Sequence, residues 1–216
     1  MAEQQGWLWD QNAGQVGQYR DFATGELVPE SDVIEFVNDI IDDTTGDPLE
    51  TLNTMLEDGR LSAEEWAAAF ALLLQTAYIQ QAELAAGGRE QMTPEQWALV
   101  IAALGVQYGF LEDFARQVRN GQLTPAQIEA RTKMYINSSR EAFWSVKDQK
   151  ALGAGYTQER WDAVGDSSTC SPCADAERMG WQPIGTFGEP GSGRVLNNPP
   201  TTCEGLTNCR CEKFYR

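Results

Sequence analysis

Three helix-start signals at equal spacing constrain the fold of this chain more than any other feature. The segments LSAEEW, MTPEQW and LTPAQI place Ser62, Thr93 and Thr124 three residues before a Glu or Gln, with an apolar residue on each side. This pattern is the capping box with a hydrophobic staple, in which side chains bond the free backbone N–H groups of a helix start. The sequence therefore predicts three helices that begin at these residues.

The same spacing indicates a helical bundle. The interiors of the three segments do not resemble one another, which argues against a solenoid of repeats. Glycines at 87–88 and 121 end the first two helices, and the third is expected to run from Pro125 to Lys150. Two shorter helices are predicted before them, one capped by Ser31 and one capped by Asp47. The expected core residues are Leu73, Ala77, Ile101, Leu104, Tyr108, Leu111, Phe114, Met134 and Phe143.

The predicted fold class is mainly α. We expect an antiparallel helical bundle of three long and two short helices, with a small C-terminal cysteine-rich, zinc-knuckle-like α+β module. The predicted divisions are an extended N-terminal arm at 1–30, the bundle at 31–152 and the cysteine-rich module at 153–216. The aromatic side chains of the arm, Trp7, Trp9, Tyr19 and Phe22, are expected to pack on the protein's own bundle rather than on a partner.

Composition excludes several classes of site. The chain has no histidine, so Ser-His-Asp triads, Cys-His nucleophiles and histidine metal ligands are excluded. Residues 1–58 hold fourteen acidic residues and Arg20 as the only base, and the whole chain carries a net charge of −16. Such a surface repels nucleic acid and fits a basic protein surface, or serves only for solubility. We expect no signal peptide, no membrane segment and a reducing cytoplasm.

All five cysteines lie in the last quarter of the chain, at 170, 173, 203, 209 and 211. Cys170 and Cys173 have the Cys-x-x-Cys spacing of a zinc knuckle, and a second pair of ligands would come from Cys203, Cys209 and Cys211. The segment has few apolar residues, and small domains of this kind usually need a metal or cross-links. A structural zinc site is the favoured interpretation. Reduced thiols without metal, disulfides formed outside the cell and a redox Cys-x-x-Cys remain alternatives.

The order of motifs resembles a known family. Ala130–Lys133 (ARTK) on a helix is followed by Arg160 and Trp161, Asp166, TCSPC, Gly180, Pro199–Pro200 and a terminal Cys-Arg-Cys. This arrangement is similar to the phage Mu F-like minor head proteins, also called head morphogenesis proteins, over about residues 125–213. Relatives usually have glutamate where this chain has Lys133, and often a histidine near Cys203. The resemblance therefore implies Cys203 as a replacement ligand, beside Cys170, Cys173 and one of Cys209 or Cys211.

The resemblance implies a structural virion protein that is not an enzyme. Such proteins dock on the portal or the major capsid protein, or associate with one another, during head assembly in the bacterial cytoplasm. We expect no added enzyme domain. The alternative function is a zinc-knuckle protein that binds single-stranded nucleic acid through Arg194, Arg210, Lys213 and Arg216 with Trp181, Phe187, Phe214 and Tyr215. Its weakness is the net charge of −2 over residues 155–216.

Overall fold

The computed structural model describes residues 5–163, 165, 169–188, 194–197, 200–202 and 211–216. The helices of these segments are α1 (Glu30–Thr45), α2 (Asp47–Glu57), α3 (Ala63–Ala86), α4 (Pro94–Arg119), α5 (Pro125–Asn137), α6 (Arg140–Gly153) and α7 (Ser171–Arg178). The strands are β1 (Trp7–Asp10), β2 (Gln18–Asp21), β3 (Gln158–Asp162), β4 (Gln182–Pro183), β5 (Arg194–Asn197), β6 (Pro200–Thr202) and β7 (Glu212–Tyr215).

The fold is mainly helical, as predicted, and α3 is its central helix. α3 contacts α1, α2, α4, α5 and α6. Its Trp66 and Phe70 are completely buried and stack with ring centroids 5.6 Å apart. Phe114 of α4 meets Trp66 edge to face at 5.3 Å and stacks on Tyr135 of α5 at 5.7 Å. A continuous aromatic cluster therefore joins three helices, in offset and edge-to-face arrangements that aromatic rings prefer.

The three predicted capping boxes are confirmed. The Ser62 backbone N–H donates to Glu65 Oε2 at 2.9 Å, and the Glu65 N–H donates to Ser62 Oγ at 3.2 Å. Thr93 with Gln96, and Thr124 with Gln127, make the same reciprocal pair of bonds. These side chains close backbone donors that a helix start would otherwise leave unpaired, so α3, α4 and α5 begin where the sequence predicted.

The prediction of one long helix from Pro125 to Lys150 is wrong. The segment forms two helices, α5 and α6, separated at Ser138 and Ser139. Ser138 Oγ donates to the carbonyl of Tyr135 at 2.6 Å and also contacts the hydroxyl of Tyr78 on α3. Serine side chains that bond nearby backbone compete with helix continuation, which explains the break. The bundle consequently contains two long helices instead of three.

The predicted starts of the first two helices are also corrected. α1 begins at Glu30, after Pro29, and no side chain caps it, so Ser31 lies inside the helix. α2 begins at Asp47 with Gly46 at the cap position and Pro48 as its second residue. Proline fixes a φ suited to helix entry, and its missing N–H costs nothing in a first turn.

The expected core is largely correct. Ala77, Leu104, Leu111, Phe114 and Phe143 are buried, and Leu73 and Tyr108 are partly buried against them. Ile101 and Met134 were predicted to be core residues, but they are 66% and 61% exposed. Both lie on helix faces that no other described element covers closely.

Residues predicted to form an extended arm contain a β-hairpin. β1 pairs antiparallel with β2, with Trp7 opposite Asp21 and Trp9 opposite Tyr19. Trp7 and Trp9 pack on the bundle core, and Tyr19 is buried and donates its hydroxyl to the carbonyl of Leu84 at 2.9 Å. Packing of these aromatics on the protein's own core is thereby confirmed, with the exception of Phe22, which is 73% exposed.

The hairpin is held by a slot for Trp9. A Cβ added to Gly87 would lie 2.1 Å from the Trp9 ring, and one added to Gly17 would lie 2.2 Å from it. The ammonium of Lys150 lies 3.8 Å from the ring centroid and donates to the carbonyl of Ala86 at the end of α3. A cation over an indole and at a helix C-terminus is favourable on both counts.

Small antiparallel sheets follow the bundle. β3 pairs with β4 on one side and with β7 on the other, and β5 pairs with β6. By length and composition, α4 is the one helix in the described segments that could cross a membrane. In the folded chain it packs against α3 and α6.

The Trp9 slot predicts unequal effects of two glycine substitutions. We expect Gly87→Ala to lower the free energy of unfolding by about 1–3 kcal/mol more than Gly59→Ala, because the new methyl group would overlap the Trp9 ring. Gly59 is the control: it also follows the end of a helix and has a positive φ, but a Cβ added to it would meet no atom within 4 Å. Urea unfolding monitored by circular dichroism measures both. Equal losses would contradict a slot that excludes side chains.

Candidate functional site

The Cys-x-x-Cys sequence lies at the start of α7. Cys170 is the N-cap residue of this helix and Cys173 is its third residue, with Pro172 between them in the first turn. These positions are the two ends of a helix-capping turn, so both side chains belong to the same end of α7. Cys173 is 1% exposed and Cys170 is partly buried.

The terminal strand brings a third cysteine to this helix. Cys211 directly precedes β7, and β7 pairs with β3 so that Glu212 lies opposite Asp162. Cys173 and Cys211 are both buried in one small cluster against which Cys170 packs. The other members of this cluster are Trp161, Ala163, Ala176 and Phe187. The small apolar core of the module is thus built around cysteine side chains.

The predicted zinc ligands are brought together in part. Cys170, Cys173 and Cys211 share the cluster, whereas Cys203 and Cys209 lie outside the described residues. Among the residues that the structure describes, no three His, Cys, Asp or Glu side chains form a group that could hold a metal ion. The donor atoms themselves fit zinc, which binds cysteine sulfur in tetrahedral sites. Zinc therefore stays a prediction.

A buried ionic cluster lies beside the cysteine cluster, on the face of the sheet that Trp161 also occupies. The side chain of Lys213 on β7 is 0% exposed, and its ammonium lies 2.7 Å from Asp148 Oδ2 and 3.2 Å from Glu159 Oε2. Asp148 belongs to α6 and Glu159 to β3. One cation therefore connects β7, its paired strand β3 and the helix α6.

The carboxylates of this cluster have further partners. Glu159 Oε1 accepts the backbone N–H groups of Gly185 and Phe187 at 2.9 and 2.8 Å. Asp148 Oδ1 accepts the hydroxyl of Tyr215 at 2.7 Å. Burial raises the pKa of Glu159 despite the nearby Lys213, and burial together with the charge of Asp148 raises the pKa of Tyr215. Buried charges of this kind are stable only when such bonds compensate for the loss of water.

The N-terminal segment joins the cluster at two points. Lys147 of α6 forms an ion pair with Glu30 at the start of α1, and both side chains are largely buried. The side-chain amide of Gln15 bonds to both backbone groups of Tyr215, accepting its N–H at 2.8 Å and donating to its carbonyl. The hairpin region, α6 and the C-terminal sheet are therefore connected through polar contacts.

The opposite face of this sheet carries arginine and aromatic side chains. Arg216 and Arg160 lie 4.6 and 5.5 Å from the ring centroid of Trp181, and Arg160 lies 5.4 Å from that of Phe214. The nucleic-acid alternative also invoked Phe187, Lys213 and Tyr215, which are buried and cannot contact a strand without unfolding. The side chains of Arg194 and Arg210 lie outside the described part of the structure.

Sequence reasoning missed the ionic cluster. Its signal is the alternation of two short strands, QERWD and EKFY, in which Glu159, Trp161, Lys213 and Tyr215 occupy inward positions. Alternate residues of a strand point to opposite faces of a sheet. Lys213 alternates with a buried aromatic residue on β7, which indicates that its ammonium has a buried acidic partner. The sequence does not identify Asp148 as that partner, because Asp148 lies on a helix and no spacing rule connects it to either strand.

Comparison of the chain with protein-family models, with curated proteins and with solved structures finds no match.

The ionic cluster predicts a large cost for removing its cation. We expect Lys213→Met to lower the free energy of unfolding by about 3–5 kcal/mol, because two buried carboxylates would lose their counterion. Lys133→Met is the matched control, since Lys133 pairs with Glu129 on the exposed surface of α5 and its loss should cost at most about 0.5 kcal/mol. Chemical denaturation at neutral pH compares the two, and equal costs would contradict the assigned role.

The cost should also depend on pH. Burial already raises the pKa of Glu159, and a carboxyl group with a raised pKa in the folded protein favours folding at low pH and opposes it as the pH rises. The difference in the free energy of unfolding between the native chain and Lys213→Met should therefore shrink as the pH falls, because Asp148 and Glu159 become protonated and no longer need a counterion. Unfolding curves measured from acid to neutral pH test this, and a loss independent of pH would argue for a packing defect.

Proposed function

We propose that this chain is a structural, non-catalytic minor head protein of a tailed bacteriophage, which docks on the portal or capsid protein during head assembly. The observation that carries the proposal is the order of the motifs from Ala130 to Cys211. Among the described residues, Ala130–Lys133 lie on α5, Arg160 and Trp161 on β3, Cys173 on α7 and Cys211 directly before β7, which pairs with β3. Residues 153–216 would then be a zinc-knuckle-like α+β module.

An acidic surface supports docking on a basic partner. The first two helices carry exposed carboxylates, and residues 21–59 contain no Lys or Arg. The exposed acids are Asp32, Glu35, Asp39, Asp42, Asp43, Asp47, Glu50, Glu57 and Asp58. Complementary charge on a portal or capsid face would speed association and fix its orientation.

The buried charges support a structural role for the module. Lys213 pairs with both Asp148 and Glu159; Asp148 also accepts the hydroxyl of Tyr215, and Glu159 also accepts backbone N–H groups. Groups engaged in this way hold the strands and α6 in fixed positions. A minor head protein of this kind would belong to the virion and would assemble in the host cytoplasm.

A binding experiment tests the docking surface. The chain is co-expressed with the portal protein of the same phage and, separately, with its major capsid protein, and each complex is captured at moderate salt. We expect the triple variant Glu35→Gln, Asp39→Asn, Asp42→Asn to reduce capture about tenfold, since each exposed charge contributes a fraction of a kcal/mol. The control variant Glu129→Gln, Asp175→Asn, Glu177→Gln removes the same charge from other exposed sites and should bind normally.

The docking proposal fails if the native chain captures neither portal nor major capsid protein. Equal loss in both triple variants would show that net charge, rather than the α1–α2 surface, governs binding. Circular dichroism of all three proteins must coincide, because the substituted residues are exposed and have no role in the core.

We also propose a structural zinc ion held by Cys170, Cys173, Cys203 and Cys211. Cys211 is favoured over Cys209 because it lies in the cluster with Cys173. Bound zinc would tie α7 to the terminal strand and add folding free energy to a module with a small core.

Metal analysis with a thiol count tests the zinc site. Freshly purified protein should contain one zinc per chain and one reactive thiol, and a strong chelator should lower the stability of the chain. Cys173→Ser should abolish zinc binding, whereas Cys209→Ser should retain the metal and lose the reactive thiol. Five reactive thiols with no zinc would rule the site out.

A further inference from the structure

α4 presents an apolar face that nothing described in the chain covers. Residues 96–111 of this helix contain no charged side chain. Four large apolar residues among them are 40–66% exposed: Leu99, Ile101, Val106 and Phe110. Contiguous exposed apolar surface of this kind marks an interaction site more often than isolated apolar residues do.

The helix cannot turn this face inward. Its opposite side is fixed in the core by Val100, Leu104, Leu111 and Phe114, all buried. Gln96 near its start is also buried and bonds to Gln149 of α6 at 3.0 Å. The apolar face therefore stays on the surface as long as the bundle is folded.

The centre of the face allows close approach of another helix. A Cβ added to Gly105 or Gly109 would meet no heavy atom within 4 Å, and Ala98 and Ala102 are exposed on the same side. Large side chains flank these small residues, which gives the surface a shallow groove between ridges. Helices pack by placing the ridges of one into the grooves of the other.

A stripe along α4 carries charged residues at both of its ends. Residues 95, 98, 102, 105, 109, 112 and 116 follow one another at spacings of three and four, so they form one stripe along α4. All of them are exposed. The stripe begins with Glu95 and ends with Glu112 and Arg116, and Arg116 lies about 32 Å from Glu95 along the axis. Arg116 also contacts Asp113 of its own helix and keeps an exposed guanidinium.

We propose that α4 pairs antiparallel with α4 of a second copy of this chain. A two-fold axis between Gly105 and Val106 places Glu95 opposite Arg116 of the second copy, and brings the two Val106 side chains together at the axis. Only this antiparallel arrangement of identical helices brings unlike charges together at both ends of the apolar face. A two-fold axis also repeats each contact, so the face is complementary to itself.

The expected dimer is weak. A helix of this length covers about 39 Å by about 10 Å, or about 400 Å² per copy, about half of what stable interfaces bury on each partner. Association should therefore depend strongly on concentration, and would be favoured where copies are held close together. The pairing surface on α4 is separate from the acidic docking surface on α1 and α2.

Sedimentation equilibrium of the full chain over a wide concentration range tests the pairing. We expect a monomer–dimer equilibrium that Val106→Glu weakens at least about tenfold, since the substituted dimer would carry two like charges at the centre of the apolar interface. Phe22→Glu is the matched control, because Phe22 is 73% exposed on the hairpin and lies outside the proposed interface. It should dimerise as the native chain does.

A charge exchange tests the antiparallel arrangement itself. Arg116→Glu and Glu95→Arg should each weaken dimerisation about tenfold, because each brings like charges together twice. The double variant should restore it. A native chain that stays monomeric at every concentration, or a double variant no better than the single ones, would overturn the proposal. Binding of the native monomer to phosphatidylcholine vesicles instead of to itself would also overturn it.

Discussion

The attachment of the C-terminal sheet to the helical bundle depends on one buried ammonium group. Lys213 lies between Asp148 and Glu159, and through them it connects the last strand to the last bundle helix and to β3. Without this cation, β7 would bring Cys211 to the module only through backbone pairing. The position of Cys211 is thus coupled to an ion pair on the same inward face of the sheet.

The N-terminal segment contributes to the same assembly from outside the bundle. Trp9 fits between two glycines and the ammonium of Lys150, Glu30 pairs with Lys147, and Gln15 bonds to Tyr215. These contacts join residues far apart in sequence, so they form only when the bundle is nearly complete. Folding of the module and docking of the hairpin should therefore be cooperative.

Local sequence signals predicted local structure well. The capping boxes at Ser62, Thr93 and Thr124 fixed three helix starts, because the bonds that define them lie within four residues. The break at Ser138 was missed, since periodicity continues across it and the decisive contact comes from Tyr78 of another helix. Ile101 was placed in the core because an apolar pattern does not tell which side of a helix meets a neighbour.

The candidate site was predictable only in its chemistry. The number and spacing of cysteines, with no histidine in the chain, indicated sulfur ligands, and the structure brings three of the five into one cluster. The partners of Lys213 could not be predicted, because Asp148 and Glu159 reach it through tertiary packing alone.

The Gln15 amide has one more consequence. β7 is an edge strand among the described residues, and Tyr215 is the position where its outward N–H and carbonyl would otherwise be open to a foreign strand. The Gln15 amide makes the two hydrogen bonds to Tyr215 that a residue of a neighbouring strand would otherwise make, so this position cannot pair with another strand. Without this side chain, the edge of β7 at Tyr215 would be open to pairing with another chain. Forms of the chain that lack Gln15 would then be prone to aggregation rather than merely less stable.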